Sequence, residues 1–207
     1  MKKLLYLLVA LGISPAFAGS YEDFFSAIER DDGTAVRNLL QRGFDANSRD
    51  PNGQTGLFLA LQGGSLKAAE PLVADRALDV DALNEAGESA LMIAALKGRL
   101  DWTQRLLDRG AQVDKSGWTP LHYAATGPEP AVVKLLLERG AKVDVRSPNR
   151  STPLMMAAQY GNPASVDLLL ARGADPTLKN DQGLTAADFA RLADRQALAA
   201  RLATLAR

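Results

Sequence analysis

TPLHYAATGPEPAVVKLLLERGA, Thr119 to Ala141, is the stretch whose reading decides the fold. Thr119 offers a hydroxyl at a helix N-cap, and Pro120 sits at the first helical position, where a missing N–H costs nothing. The small pair Ala124-Ala125 lets a neighbouring helix approach closely. A Gly- and Pro-bearing turn follows. In the second helix, VVKLLLERG, the valines with Leu135 and Leu136 face inward while Lys134 and Glu138 stay in water. Gly140 then ends that helix as a left-handed C′ residue. The stretch predicts two short helices around a tight turn.

The same pattern recurs along the chain. QTGLFLAL, ESALMIAAL, WTPLHYAA, STPLMMAA and LTAADFA align on Thr55, Ser89, Thr119, Thr152 and Thr185, which are 34, 30, 33 and 33 residues apart. The second-helix leucines Leu39, Leu72, Leu106, Leu136 and Leu169 follow at 33, 34, 30 and 33. Two interleaved series that share one short step mark a repeat. Between units lies a projecting finger. Asn52-Gly53 at one tip is a pair suited to a tight primed hairpin turn.

On these residues the chain resembles the ankyrin repeat family, and the likeness runs from about Tyr21 to Arg207. The resemblance implies an all-α fold, a solenoid of stacked helix-turn-helix units with short β-hairpin fingers. Caps are expected near 21–49 and 180–207, with repeats near 50–83, 84–114, 115–146 and 147–179. Such ends are needed because each unit buries its face only against neighbours.

Three departures from the pattern stand out. Gly110 to Gly117 is three residues shorter than the other fingers, which predicts a truncated hairpin beside Trp118. Arg150 stands where other tips carry glycine, and Ala77 is read at a helix C′ glycine position. Pro71 lies inside a second helix and is expected to kink or loosen it.

Composition excludes several classes of function. Lysine plus arginine equals aspartate plus glutamate, 24 each, so no basic surplus draws nucleic acid. The chain has no cysteine, hence no disulfide, thiol nucleophile or cysteine-metal site. Residues 1–18, MKKLLYLLVALGISPAFA, read as a secretory signal. Lys2 and Lys3 start it, Leu4 to Ile13 form its apolar stretch, and Ala16-Phe17-Ala18 is a small-x-small cleavage site. The expectation is an ankyrin domain over 19–207, periplasmic, monomeric and not inserted in a membrane.

His122 is the only histidine. It occupies the His of the TPLH turn, where the resemblance implies a ring bonded to the turn's threonine and nearby backbone. A general base needs partners in a cleft, and the sequence has no G-x-S-x-G elbow, phosphate loop or H-E-x-x-H helix. No enzyme, metal or cofactor is expected. The carboxylates Asp31-Asp32, Asp79-Asp81 and Asp181 read as helix and finger caps, and Trp102 as core.

For a binding protein the candidates are aromatic anchors on the predicted groove, Trp118 and Tyr160, with Gln159, Arg150, Lys97 and Glu88 around them. Packing between fingers is the competing role for Trp118. The resemblance implies a protein partner gripped through that groove. Small exported bacterial ankyrin proteins include some that support a catalase or peroxide resistance and others that neutralise toxins as immunity proteins.

Overall fold

The computed structural model describes the backbone of residues 15–206 and the side chains of residues 19–206. Most of the expected leader, residues 1–14, lies outside the described residues. The chain divides into two compact units, one reaching to Ala86 and the other running from Gly87 to Arg207.

The first unit holds α1 (Pro15–Glu29), α2 (Gly33–Gln41), α3 (Gly56–Gly63) and α4 (Leu66–Ala74). Its core is built from Phe24, Ile28, Val36, Leu57, Phe58, Leu61 and Leu72, all buried. Thr55 caps α3 through its side chain, which accepts from the Phe58 N–H at 3.3 Å. Pro71 does not break α4, which is one continuous helix. Pro71 leaves the carbonyl of Lys67 without its helical N–H, and that carbonyl is the one Gly33 packs against. A Cβ at Gly33 would lie 2.1 Å from it, so only glycine fits.

The second unit holds α5 (Ala90–Leu96), α6 (Leu100–Asp108), α7 (Pro120–Thr126), α8 (Pro130–Glu138), α9 (Pro153–Gln159), α10 (Pro163–Ala171), α11 (Ala186–Leu192) and α12 (Gln196–Leu205). One apolar cluster joins them, with Leu121, Leu136, Leu154 and Leu169 at its centre and Leu202 sealing its last helix. The alanine pairs 124-125 and 157-158 are buried in it, so the first helices stack closely. Gly161 shows how close. A Cβ there would stand 2.0 Å from the Ala125 carbonyl. Trp102 is buried as expected, with Arg105 over its ring at 4.2 Å.

The fingers led by Asp50, Ser147 and Asn180 are single turns. At the first, the Gly53 N–H returns to the Asp50 carbonyl (3.0 Å) and the Asp50 N–H reaches the Gln54 carbonyl (2.9 Å). One antiparallel bridge, Arg49 with Thr55, closes it, and no longer strand forms among the described residues. Gly53 is left-handed (φ 73°) and Asn52 is not. The turn is therefore a longer loop with a left-handed closing glycine, in place of the two-residue primed turn expected at Asn52-Gly53. The tips at Ser147–Arg150 and Asn180–Gly183 repeat this hydrogen bond at 2.8 and 2.9 Å.

Arg150 keeps the left-handed backbone of its glycine counterparts, with φ 61°. For an L-residue this is strained by about 1 kcal/mol. Ala77 does not. Its helix ends at Ala74 and the chain leaves extended at Asp75 (ψ 128°), with no left-handed residue following. The reading of Ala77 at a helix C′ glycine position is corrected: an Asp75-led loop carries the chain out, and the Asp75 side chain accepts from the Ala77 N–H at 2.8 Å.

Between Gly110 and Thr119 the chain bends without a hydrogen-bonded turn, as its short length predicts. The Lys115 ammonium takes over part of the missing ladder, donating to the carbonyls of Ser116 (2.9 Å) and Trp118 (3.3 Å).

Candidate functional site

In the second unit, His122 is 1 % exposed. The Thr119 N–H donates to its Nδ1 at 3.2 Å, and the Thr119 hydroxyl lies 3.0 Å from the same atom. With Nδ1 accepting, the proton sits on Nε2 and is donated to the Ser151 carbonyl at 3.0 Å. Both ring nitrogens are thus spent inside the fold. Burial pushes the imidazole down to about 4, so it is neutral at pH 7. Three other repeats of this unit place a different residue at this third helical position, and each reaches back to its cap. Met92 and Met155 bring sulfur to the N–H of Ser89 and Thr152, both at 3.4 Å. Asp188 accepts from the Thr185 N–H (2.8 Å) and hydroxyl (2.7 Å), which holds its carboxyl below the usual range. His122 is one member of this capping series.

Above His122 lies a groove of about 250 Å³ lined by Leu96, Trp118, His122, Tyr123, Thr126 and Met156. Trp118 is half-buried and meets the His122 ring edge-on, with centroids 5.1 Å apart. The Tyr123 hydroxyl donates to Glu88 at 2.6 Å. Burial, then that carboxylate, push the phenol well above its ordinary value, so it stays a donor. The groove is apolar, with a tryptophan at one wall and a carboxylate-anchored tyrosine at another.

The first unit carries a larger groove of about 630 Å³. Half-buried Tyr21, Phe25 and Leu59 form its apolar lining, with Tyr21 and Phe25 in ring contact at 4.9 Å. The Tyr21 hydroxyl donates to the Arg49 carbonyl at 2.6 Å, and burial, helped by Asp50, raises its phenol. Every charged residue lining this groove is acidic: Glu22, Glu29 and Asp50. The asymmetry extends beyond it. Residues 19–86 hold 12 acidic and 6 basic side chains, whereas residues 87–207 hold 12 acidic and 16 basic.

The family model for ankyrin repeats in three copies matches residues 24–116, 70–147 and 104–180. The chain belongs to the ankyrin repeat family. Human transient receptor potential cation channel subfamily A member 1 is 32% identical over 117 residues, 55% of this chain and 10% of that protein. Mouse ankyrin repeat and SAM domain-containing protein 6 is 40% identical over 112 residues, 52% of this chain and 12% of that protein. Mouse protein phosphatase 1 regulatory subunit 27 is 33% identical over 104 residues, 48% of this chain and 66% of that protein. The chain spans only about a tenth of the first two of these relatives. Among solved structures, it is similar to an ankyrin-like immunity protein in the complex of the Bd0816 predatory endopeptidase from Bdellovibrio bacteriovorus with immunity protein Bd3460. That likeness has a TM-score of 0.74 and 31% identity, and covers 88% of this chain and 97% of that one.

Ankyrin repeats bind protein partners and the family is generally non-catalytic, so the chain is a protein-binding scaffold. No helix among the described residues is long and apolar enough to cross a membrane. Of the ankyrin residues singled out in the sequence, Trp118 lines the second unit's groove. Lys97 is exposed at the end of α5, next to Leu96 of that lining, and Glu88 is the acceptor for Tyr123. Tyr160 caps α9 and is 59% exposed, outside the lining, with Gln159 half-buried before it. Beside them the Arg195 guanidinium donates to the carbonyls of Ala157, Ala158 and Gly161, each at 3.0 Å. Arg150 is exposed at its finger tip, 3.9 Å from Asp181.

Sequence reasoning missed Tyr123, Met156, Leu96 and Thr126. The signal was there in the register. Tyr123 and Met156 lie four residues after the capping hydroxyl of their unit, and Leu96 and Thr126 seven after theirs. Those two offsets share a helix face.

Proposed function

We propose that the protein is an exported, periplasmic immunity-type scaffold, which holds an endopeptidase or similar hydrolytic enzyme inactive by gripping it through the first-helix groove of its second unit. The observation that carries this is the match to the immunity protein of an endopeptidase complex, because it extends over nearly the whole of both chains. The first two curated relatives match over about half of this chain and a tenth or so of their own length. The groove supports the reading chemically. Trp118 and Tyr123 give large, rigid, amphipathic contact area, and exposed Tyr160 adds a third aromatic outside it. Such residues concentrate binding energy in protein interfaces. Export is supported by the leader-like residues 1–18, with cleavage after Ala18.

The test is cross-linking in the native envelope fraction followed by assay of each captured protein. The expected partner is a hydrolase whose activity falls as the protein is added to one equivalent. Trp118→Ala and Tyr160→Ala should each weaken that inhibition, by about 2 kcal/mol or more in affinity at a true anchor. Capture of a catalase with no hydrolase inhibited would move the function to peroxide resistance.

A further inference from the structure

The first unit's groove is built differently from the one around Trp118, and its chemistry specifies a partner. Its lining pairs two aromatic rings, Tyr21 and Phe25, with Leu59, and every charge on that lining is a carboxylate. Asp50 also braces its own finger, accepting from the N–H groups of Asn52 (3.0 Å) and Gln54 (2.7 Å). Glu22 and Glu29 are exposed, and no described lysine or arginine is bridged to either. The neighbouring cations face elsewhere. The Arg49 guanidinium is turned to the carbonyls of Gly53 (2.7 Å) and Leu83 (2.6 Å), and Arg30 donates to the Ser26 hydroxyl at 2.9 Å. The excess of acid over base in residues 19–86 sets a negative field around the groove.

We propose that this groove is a second docking site, for a protein segment that presents arginine beside an apolar side chain. An arginine fits both features at once. Its planar guanidinium stacks on aromatic faces and forks onto carboxylates, while an adjacent apolar side chain fills the space over Leu59. An acidic segment would meet like charge at the rim, and a purely polar one would leave the rings uncovered. The site extends the scaffold reading but does not use Trp118, so the two fail separately.

The experiment uses the full chain, isotope-labelled, and a synthetic amidated peptide with alternating arginine and leucine separated by serines. The expected result is a set of NMR shifts at Tyr21, Phe25 and Leu59, with affinity falling about tenfold or more in Glu22→Lys/Glu29→Lys and unchanged in Trp118→Ala. Both substituted glutamates are exposed, so the double variant keeps its fold, checked by its unchanged spectrum elsewhere. Equal binding to the double variant overturns the proposal. So does equal binding of a peptide with glutamate for arginine, or of one with serine for leucine. Sedimentation showing that a second copy of the chain occupies the groove overturns it too.

Discussion

Because the His122 ring is buried neutral, acid should unfold the second unit earlier than its carboxylates alone would allow. The ring's ordinary value is 6.5, and burial takes it to about 4 in the folded protein. The unfolded chain therefore binds a proton that the folded chain refuses between those two values. Stability from this source is complete above pH 6.5 and is lost as pH falls toward 4, for a total of about 3 kcal/mol. Roughly 2 kcal/mol of that should go between pH 7 and pH 5. The carboxylates held low, Asp108, Asp175 and Asp188, release their stability at lower pH, and Asp144, raised by burial, acts with the opposite sign. All four are shared by His122→Gln, so the difference between the two proteins isolates the imidazole. Glutamine at this third position can still reach back to the Thr119 N–H. The assay is urea unfolding followed by tryptophan fluorescence at pH 7 and pH 5. Both tryptophans, Trp102 and Trp118, report on the second unit. His122→Gln should be the less stable protein at pH 7, by about 1–2 kcal/mol, for the weakened hydrogen bond to Ser151. It should also lose much less between pH 7 and pH 5. Parallel losses in the two proteins, or an NMR titration of His122 near 6.5 in the folded state, would refute the reasoning.

Relieving the left-handed backbone at the finger tip makes Arg150→Gly stabilising by up to about 0.5 kcal/mol, which is what remains of roughly 1 kcal/mol of strain after glycine's greater unfolded entropy, about 0.4–1 kcal/mol, is subtracted. The pair with Asp181, 3.9 Å long and exposed, takes away little; a lower melting temperature for this variant would contradict it. Gly161→Ala should cost about 2 kcal/mol or more, since its Cβ would stand 2.0 Å from the Ala125 carbonyl and force the stacked first helices apart; calorimetry showing wild-type stability would rule that out. Sequencing of the native protein should begin at Gly19, so that the mature chain enters α1 four residues after Pro15; an intact Met1 would sink the export reading.

The parts of this fold that were legible in the sequence are those fixed by local chemistry. A hydroxyl cap, a proline at the first helical position and a left-handed glycine each act within a few residues, so their spacing alone placed Thr119, Pro120 and Gly140. Ala77 went wrong for the same reason. A constant distance from helix end to finger would put Ala77 at C′, but an Asp75-led exit with no left-handed residue stands in its place. The site was less legible because its contacts are made between neighbouring repeats of the second unit. Tyr123 reads as a helix-interior residue until Glu88, 35 residues earlier, is found holding its hydroxyl. The equivalent position is filled by Ile93 and Phe189 in other units, and both are buried there. A repeat keeps its backbone by keeping its caps and glycines, while the position four residues after the cap takes Ile93, Tyr123, Met156 or Phe189. His122 and Tyr123 stand side by side on one helix and divide along that line. His122 turns both nitrogens inward and belongs to the repeat, whereas Tyr123 lines the groove, where Glu88 holds its hydroxyl.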